Sequence, residues 1–212
     1  MRYFQTGDSL AHGANALLRN RADSAVDILD AAAAQGSIDR LAPAKARLDY
    51  EDISYNHGVT FGGSGLLHAV KMIETALADL DKSKDAALWA ATQNNLGNAL
   101  STLGERQSGE DAIARINDAI TAYHKALEVW AIDSAQMQWV TTQENMAIVY
   151  AARAVFFDRA EKQEKAKADL EQALFHVDAA LGVLDPAHSP YYHEKATTTR
   201  ELILTMLNAP KG

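Results

Sequence analysis

The sequence predicts an all-α fold assembled from repeated helical hairpins, and three observations predict it. First, Trp89 to Leu100, WAATQNNLGNAL, returns fifty positions on as Trp139 to Tyr150, WVTTQENMAIVY, with Trp89/Trp139, Gln93/Gln143, Asn95/Asn145 and Leu96/Met146 in register. Second, the row Ala69-x3-Ile73-x2-Ala76-Leu77 recurs as Ala119-x3-Tyr123-x2-Ala126-Leu127 and again as Ala173-x3-Val177-x2-Ala180-Leu181. Repetition at fixed spacing means stacked copies of one unit. Third, a chain of 212 residues that is 48% hydrophobic, with only 4 Pro and 12 Gly, can bury a core, and its alanine clusters favour closely approaching helices.

The apolar period of 3.6 places helices at roughly 8–20, 22–35, 42–58, 65–82, 86–103, 111–131, 135–157, 161–184 and 190–208. These pair into hairpins 8–36, 42–82, 86–131 and 135–184, followed by a single helix at 190–208, all within one domain, 1–212. The first hairpin carries Ala31 to Ala34 and closes at Gly36-Ser37. In the second, Gly62-Gly63-Ser64-Gly65 is expected to be a flexible connector ahead of the Ala69 row. The third opens with Trp89, Gln93, Leu96, Gly97 and Leu100, a spacing that marks one buried stripe, with Gly97 expected to let the partner backbone come close. Gly104 and Ser108-Gly109 end that helix, and Asp111 is the expected cap of the next. Its second helix sets Ala119 and Ala126 on one face with Tyr123, a small-large-small row for nesting. The fourth hairpin repeats the plan from Asp133-Ser134 onward, and Asp185-Pro186 with Ser189-Pro190 isolates the last helix. Trp89, Trp130 and Trp139 read as buried packing residues.

Gln93-x2-Leu96-Gly97-x2-Leu100 with Ala119, Tyr123 and Ala126 resembles the tetratricopeptide repeat, whose first helix reads W-x2-L-G-x2-Y and whose second carries a small-x3-aromatic-x2-small row. Gln143-x2-Met146-Ala147-x2-Tyr150 with Ala173, Val177 and Ala180 is the next copy, and Gly13, Ala16, Ala25, Leu29 and Ala32 fit the family spacing at the N-terminus. The repeat is long, about fifty residues, and is similar to a long-period bacterial branch of the family. The resemblance implies a tetratricopeptide-like helical-hairpin solenoid, capped by the C-terminal helix at 190–208. It further implies that first helices line a concave groove for a peptide segment or partner helix. Carried over residue by residue, that groove takes Asn94, Asn98, Ser101 and Thr102 from one repeat and Thr141, Glu144 and Ile148 from the next. Asn94 and Asn98, four apart, share a face and offer donors and acceptors to a peptide backbone. The family's carboxylate clamp needs lysines at such positions, and here Asn94 and Glu144 stand instead.

Charge narrows the partner. A net charge of −8 without a long Lys/Arg run disfavours nucleic acid and anionic membrane and favours a protein or peptide partner, a basic one if the run Asp49 to Asp52 faces the groove. Zero cysteines removes disulfides and thiol catalysis and is compatible with a cytoplasmic location. No secretory signal and no spanning helix are expected. Neither catalytic residues nor a cofactor are indicated: there is no Walker loop, G-x-S-x-G, H-E-x-x-H or dinucleotide fingerprint. The competing reading is a helical-scaffold enzyme or a binder of metal or a small molecule, using His57 and His68 with Asp49, Glu51 or Asp52. Those spacings form no recognised ligand pattern, so no metal site is assigned. Self-association, through Phe156-Phe157 or an incompletely covered end, is a further possibility.

Overall fold

A computed structural model describes residues 24–209 apart from Val26, Ile38 and Gly63. Among the described residues all regular structure is helical: α1 (24–34), α2 (Ala42–Phe61), α3 (Gly65–Asp79), α4 (Ala86–Glu105), α5 (Gly109–Leu127), α6 (Gln136–Arg159), α7 (Gln163–Leu181) and α8 (Pro190–Leu207). The expected helix at 8–20, with Gly13 and Ala16, lies outside the described residues. Where the sequence suggests one domain, 1–212, the helices group into two compact units, Met1–Lys84 and Asp85–Gly212.

In the first unit α2 and α3 form a hairpin. Its tightest point is Gly58 against Gly65: a Cβ added to Gly58 would stand 2.6 Å from the Leu66 nitrogen, and one added to Gly65 would stand 2.8 Å from Gly58 Cα. The glycine run is therefore a packing device as well as a turn. Gly62, at φ 72°, ends α2 in a conformation that side chains resist, and Gly65 already belongs to α3.

The second unit holds two hairpins, α4–α5 and α6–α7, with α8 laid against α7. In addition α6 touches α5 and α4, and α8 touches α6. The small-large-small rows explain the hairpins, because Ala119, Ala126, Ala173, Ala180 and Val177 are all fully buried and Tyr123 nearly so. Alanine at those positions lets the axes approach until the larger residue between them fills the gap. Gly97 does this differently from expectation. What it admits is the Tyr123 ring, 2.5 Å from where a Cβ would stand, and not the partner backbone.

The repeat extends further than the tryptophans announce. The turns at 80–85, 130–135 and 184–189 share one conformation, each closing on a helix whose fourth residue donates its backbone N–H back to the residue before the helix: Trp89 to Asp85, Trp139 to Ala135, His193 to Ser189. These first helices are thus spaced by 50 and then 54 residues, and the additional four lie in α6, 24 residues long against 20 for α4. Asp111 and Asp133-Ser134 do not cap. Asp111 falls in the first turn of α5, where a carboxylate still meets the helix dipole favourably, and Asp133-Ser134 lie in the turn ahead of Ala135. All three tryptophans are half-buried rather than sealed.

Candidate functional site

The expected groove residues lie on α4 and α6, and their surroundings divide them. Asn94 and Asn98 are half-buried on α4. Asn98 Oδ1 accepts from the Tyr123 hydroxyl at 2.8 Å and from Asn145 Nδ2 at 3.1 Å. Asn94 Oδ1 accepts from Thr142 Oγ1 at 3.3 Å and Asn145 Nδ2 at 3.4 Å. Both carbonyl ends are therefore committed to α5 and α6, and no acceptor among the described residues takes either Nδ2. The pair retains donors only, a correction to the expectation of donors and acceptors alike. Asn145 joins the two repeats and was not singled out in the sequence, although its register with Asn95 was visible.

Glu144 departs most. Standing one repeat after Asn94, it is 1% exposed, and its Oε2 meets Lys195 Nζ of α8 at 3.0 Å. The next first helix covers it, just as α6 engages Asn94. Glu144 is thus a helix-to-helix contact and not a free groove wall. Ser101 is nearly buried and bonds Glu105 at 3.4 Å, while the Thr102 hydroxyl is returned to the Asn98 carbonyl at 2.9 Å. Thr141 is half-buried and Ile148 is 39% exposed.

Ile148 belongs to an apolar strip whose other members sequence reasoning missed. Met137 and Ile148 on α6 are exposed, and so are Tyr191 and Leu202 on α8, each fifty-four positions after its counterpart. The signal was available in the turn LDPAHSP at 184–190, but His193 stands where the earlier copies carry tryptophan.

Behind this wall the largely apolar packing of α6 on α7 includes a ladder of polar groups. His176 Nδ1 lies 2.6 Å from Gln143 Oε1, an acceptor, so the imidazole donates from Nδ1. Burial, assisted by nearby His124, pushes His176 down to about 4, so it is neutral across the physiological range. Tyr150 stacks on it at 5.4 Å, and Arg153 holds Asp169 through two bonds of 2.7 Å while reaching Asn117 at 2.5 Å. The Gln143–His176 and Arg153–Asp169 contacts tie α6 to α7, a structural role.

The acidic run of the first unit does not face one way, since four consecutive helical residues point in four directions. Glu51 is 3% exposed against α3 whereas Asp49 and Asp52 are exposed. Burial first, and Asp52 second, push Glu51 up to about 7. Arg47, one turn away, is occupied by Asp30 at 2.5 Å and by Asp79. His68 lies edge-on to Tyr50 at 5.8 Å and His57 beside Phe61 at 5.0 Å. Among the described residues no group of three or more His, Asp or Glu is arranged to hold a metal ion. Nor is any helix among them long and apolar enough to cross a membrane.

No family model, curated protein or solved structure matches the chain.

Proposed function

We propose that the second unit is a tetratricopeptide-like interaction module that holds an extended segment of a partner protein along the wall formed by α4, α6 and α8, without catalysing a reaction. The observation that carries this reading is the pair of pinned carboxamides. With each Oδ1 fixed to neighbouring helices, Asn94 and Asn98 present N–H donors about 6 Å apart along the helix axis, close to the roughly 6.6 Å between alternate carbonyls of an extended chain. Two such donors would take two peptide carbonyls, the main-chain mode of segment recognition. Ile148, Met137, Leu202 and Tyr191 supply apolar contact alongside, and the recurrence of this strip at equivalent positions is what stacked repeats produce. The chain's charge of −8 favours a partner segment with basic side chains.

The test uses Asn94→Asp with Asn98→Asp. Aspartate keeps the oxygen that Tyr123, Thr142 and Asn145 bond, and removes the outward donors. In affinity capture followed by mass spectrometry, the wild-type chain is expected to retain a partner that the double variant loses roughly tenfold or more, with helical signal unchanged. A partner retained equally by both places the contact elsewhere.

A further inference from the structure

A carboxamide has two ends of equal size and opposite hydrogen-bonding sense, so its direction is decided by the groups around it. For Asn94 and Asn98 those groups are Tyr123, Thr142 and Asn145. Two of the three are hydroxyls, which can donate or accept, and neither alone fixes a direction. The Thr142 proton is moreover claimed by the Gln138 carbonyl at 2.8 Å, closer than Asn94 at 3.3 Å. Asn145 Nδ2 differs from both. It can only donate, it carries two protons, and it has two carboxamide oxygens in reach, Asn98 Oδ1 at 3.1 Å and Asn94 Oδ1 at 3.4 Å. The next junction lacks this arrangement. Fifty-four positions after Asn145 stands Thr199, whose hydroxyl is returned to the Lys195 carbonyl at 3.1 Å, and Glu144 and Ile148 take the places of Asn94 and Asn98.

We infer that Asn145 is the positioning residue of the carboxamide wall, turning the N–H ends of Asn94 and Asn98 outward together and so making the wall select hydrogen-bond acceptors. This rests on the reading of α4, α6 and α8 as a binding wall, and it narrows what that wall takes. Main-chain carbonyls of the segment are read, and its N–H groups are not. A segment with proline at these places, which has carbonyls but no N–H, therefore meets the same two donors. Aspartate in place of Asn145 reverses the sense. A carboxylate only accepts, so both carboxamides turn Nδ2 inward to it and offer their oxygens outward instead.

The experiment follows the side-chain amide protons of Asn94, Asn98 and Asn145 by nuclear magnetic resonance, with N,N-dimethylacetamide, a carbonyl compound without an N–H, as the probe. In the wild-type chain the Asn145 protons should exchange with water roughly tenfold or more slowly than those of Asn94 and Asn98. Only the latter two should shift as the probe is added. In Asn145→Asp the Asn94 and Asn98 protons should slow by a similar factor and lose their response to the probe. Asn145→Leu removes the contact without offering an acceptor and should leave both fast. A merely structural role would make the two variants alike, and that result overturns the inference. So does an Asn145→Asp chain that folds with Asn94 and Asn98 still fast. Should Asn145→Asp fail to fold, the wild-type pattern decides, because slow exchange at Asn94 and Asn98 or fast exchange at Asn145 is equally fatal. None of these readouts needs a partner. Failure of the wall itself would instead show as a captured partner indifferent to Asn94→Asp with Asn98→Asp, with the exchange pattern intact.

Discussion

The face that a first helix turns toward its hairpin partner is filled differently in the two units. In α2 it runs Ala44, Arg47, Glu51, Ser54, Gly58; in α4 it runs Ala90, Gln93, Gly97, Leu100, Gly104, and in α6 Val140, Gln143, Ala147, Tyr150, Ala154. Spacing and burial are the same, so the hairpin geometry is set by small residues at fixed intervals and tolerates unlike chemistry between them. The first unit encloses an arginine satisfied by two aspartates and a carboxyl whose Oε2 has no bond. The second encloses amides and one imidazole, and its buried carboxylates Glu144 and Asp169 are each paired with a basic side chain. A buried carboxyl pushed up in the first unit and a buried imidazole pushed down in the second should make the units respond to pH in opposite directions.

That opposition gives the largest expected effect. Glu51, raised to about 7 from 4.5, favours the folded state fully below pH 4.5 and loses that contribution as pH rises through 7. His176, lowered to about 4 from 6.5, favours the folded state above pH 6.5 and loses its contribution as pH falls through 4. Each amounts to something on the order of 2 to 3 kcal/mol across its window. The two are separable by eye, because Trp89, Trp130 and Trp139 all lie in the second unit. Tryptophan fluorescence therefore follows that unit alone, while far-ultraviolet circular dichroism follows both. Glu51→Gln should raise the stability of the first unit at pH 8 with little change at pH 4.5. A fluorescence-detected midpoint that moves with Glu51→Gln, or that rises between pH 6.5 and 4, would break the comparison.

A smaller effect tests whether shape governs the second unit. Tyr123 occupies the space that Gly97 leaves, whereas the equivalent pair in the next hairpin is Ala147 with Val177. Gly97→Ala should destabilise by about 1 to 2 kcal/mol, the overpacking outweighing the gain in helix propensity. Adding Tyr123→Val to it recreates the second hairpin's pairing and should recover part of the loss, although the bond to Asn98 goes with the tyrosine. A thermodynamic cycle from chemical unfolding reads the coupling, and strict additivity would show that the two positions do not share one space.

Much of this was legible beforehand, and the illegible part has one physical cause. Helix positions from α2 to α8 follow the apolar period to within a few residues, and the buried alanine rows follow the repeat, because both are properties of a single helix and its hairpin partner. What the sequence withheld was the face covered by the next first helix. Glu144 and Asn94 look equivalent and exposed until Lys195, Thr142 and Asn145 are seen to reach them. Nothing local in the sequence around position 144 announces a lysine fifty-one residues away. Glu51 was hidden for a related reason, since a run of acidic residues reads as a solvated surface until the helix is given a direction.

The finest contrast lies within the second unit. Gln93 and Gln143 are equivalent and both nearly buried, yet only Gln143 has a partner for its Oε1 in His176. The position corresponding to His176 in the preceding hairpin is Ala122, and Gln93 Oε1 is accordingly left without a hydrogen bond. A buried oxygen with no donor is unfavourable, so Gln93→Leu should stabilise the unit by about 1 kcal/mol. Gln143→Leu should do the reverse by a similar amount, stranding the His176 N–H in the core. Denaturant midpoints at neutral pH decide it, with fluorescence as the probe. Equal and same-signed effects would mean that the imidazole, and not the amide, carries the polar order of the second hairpin.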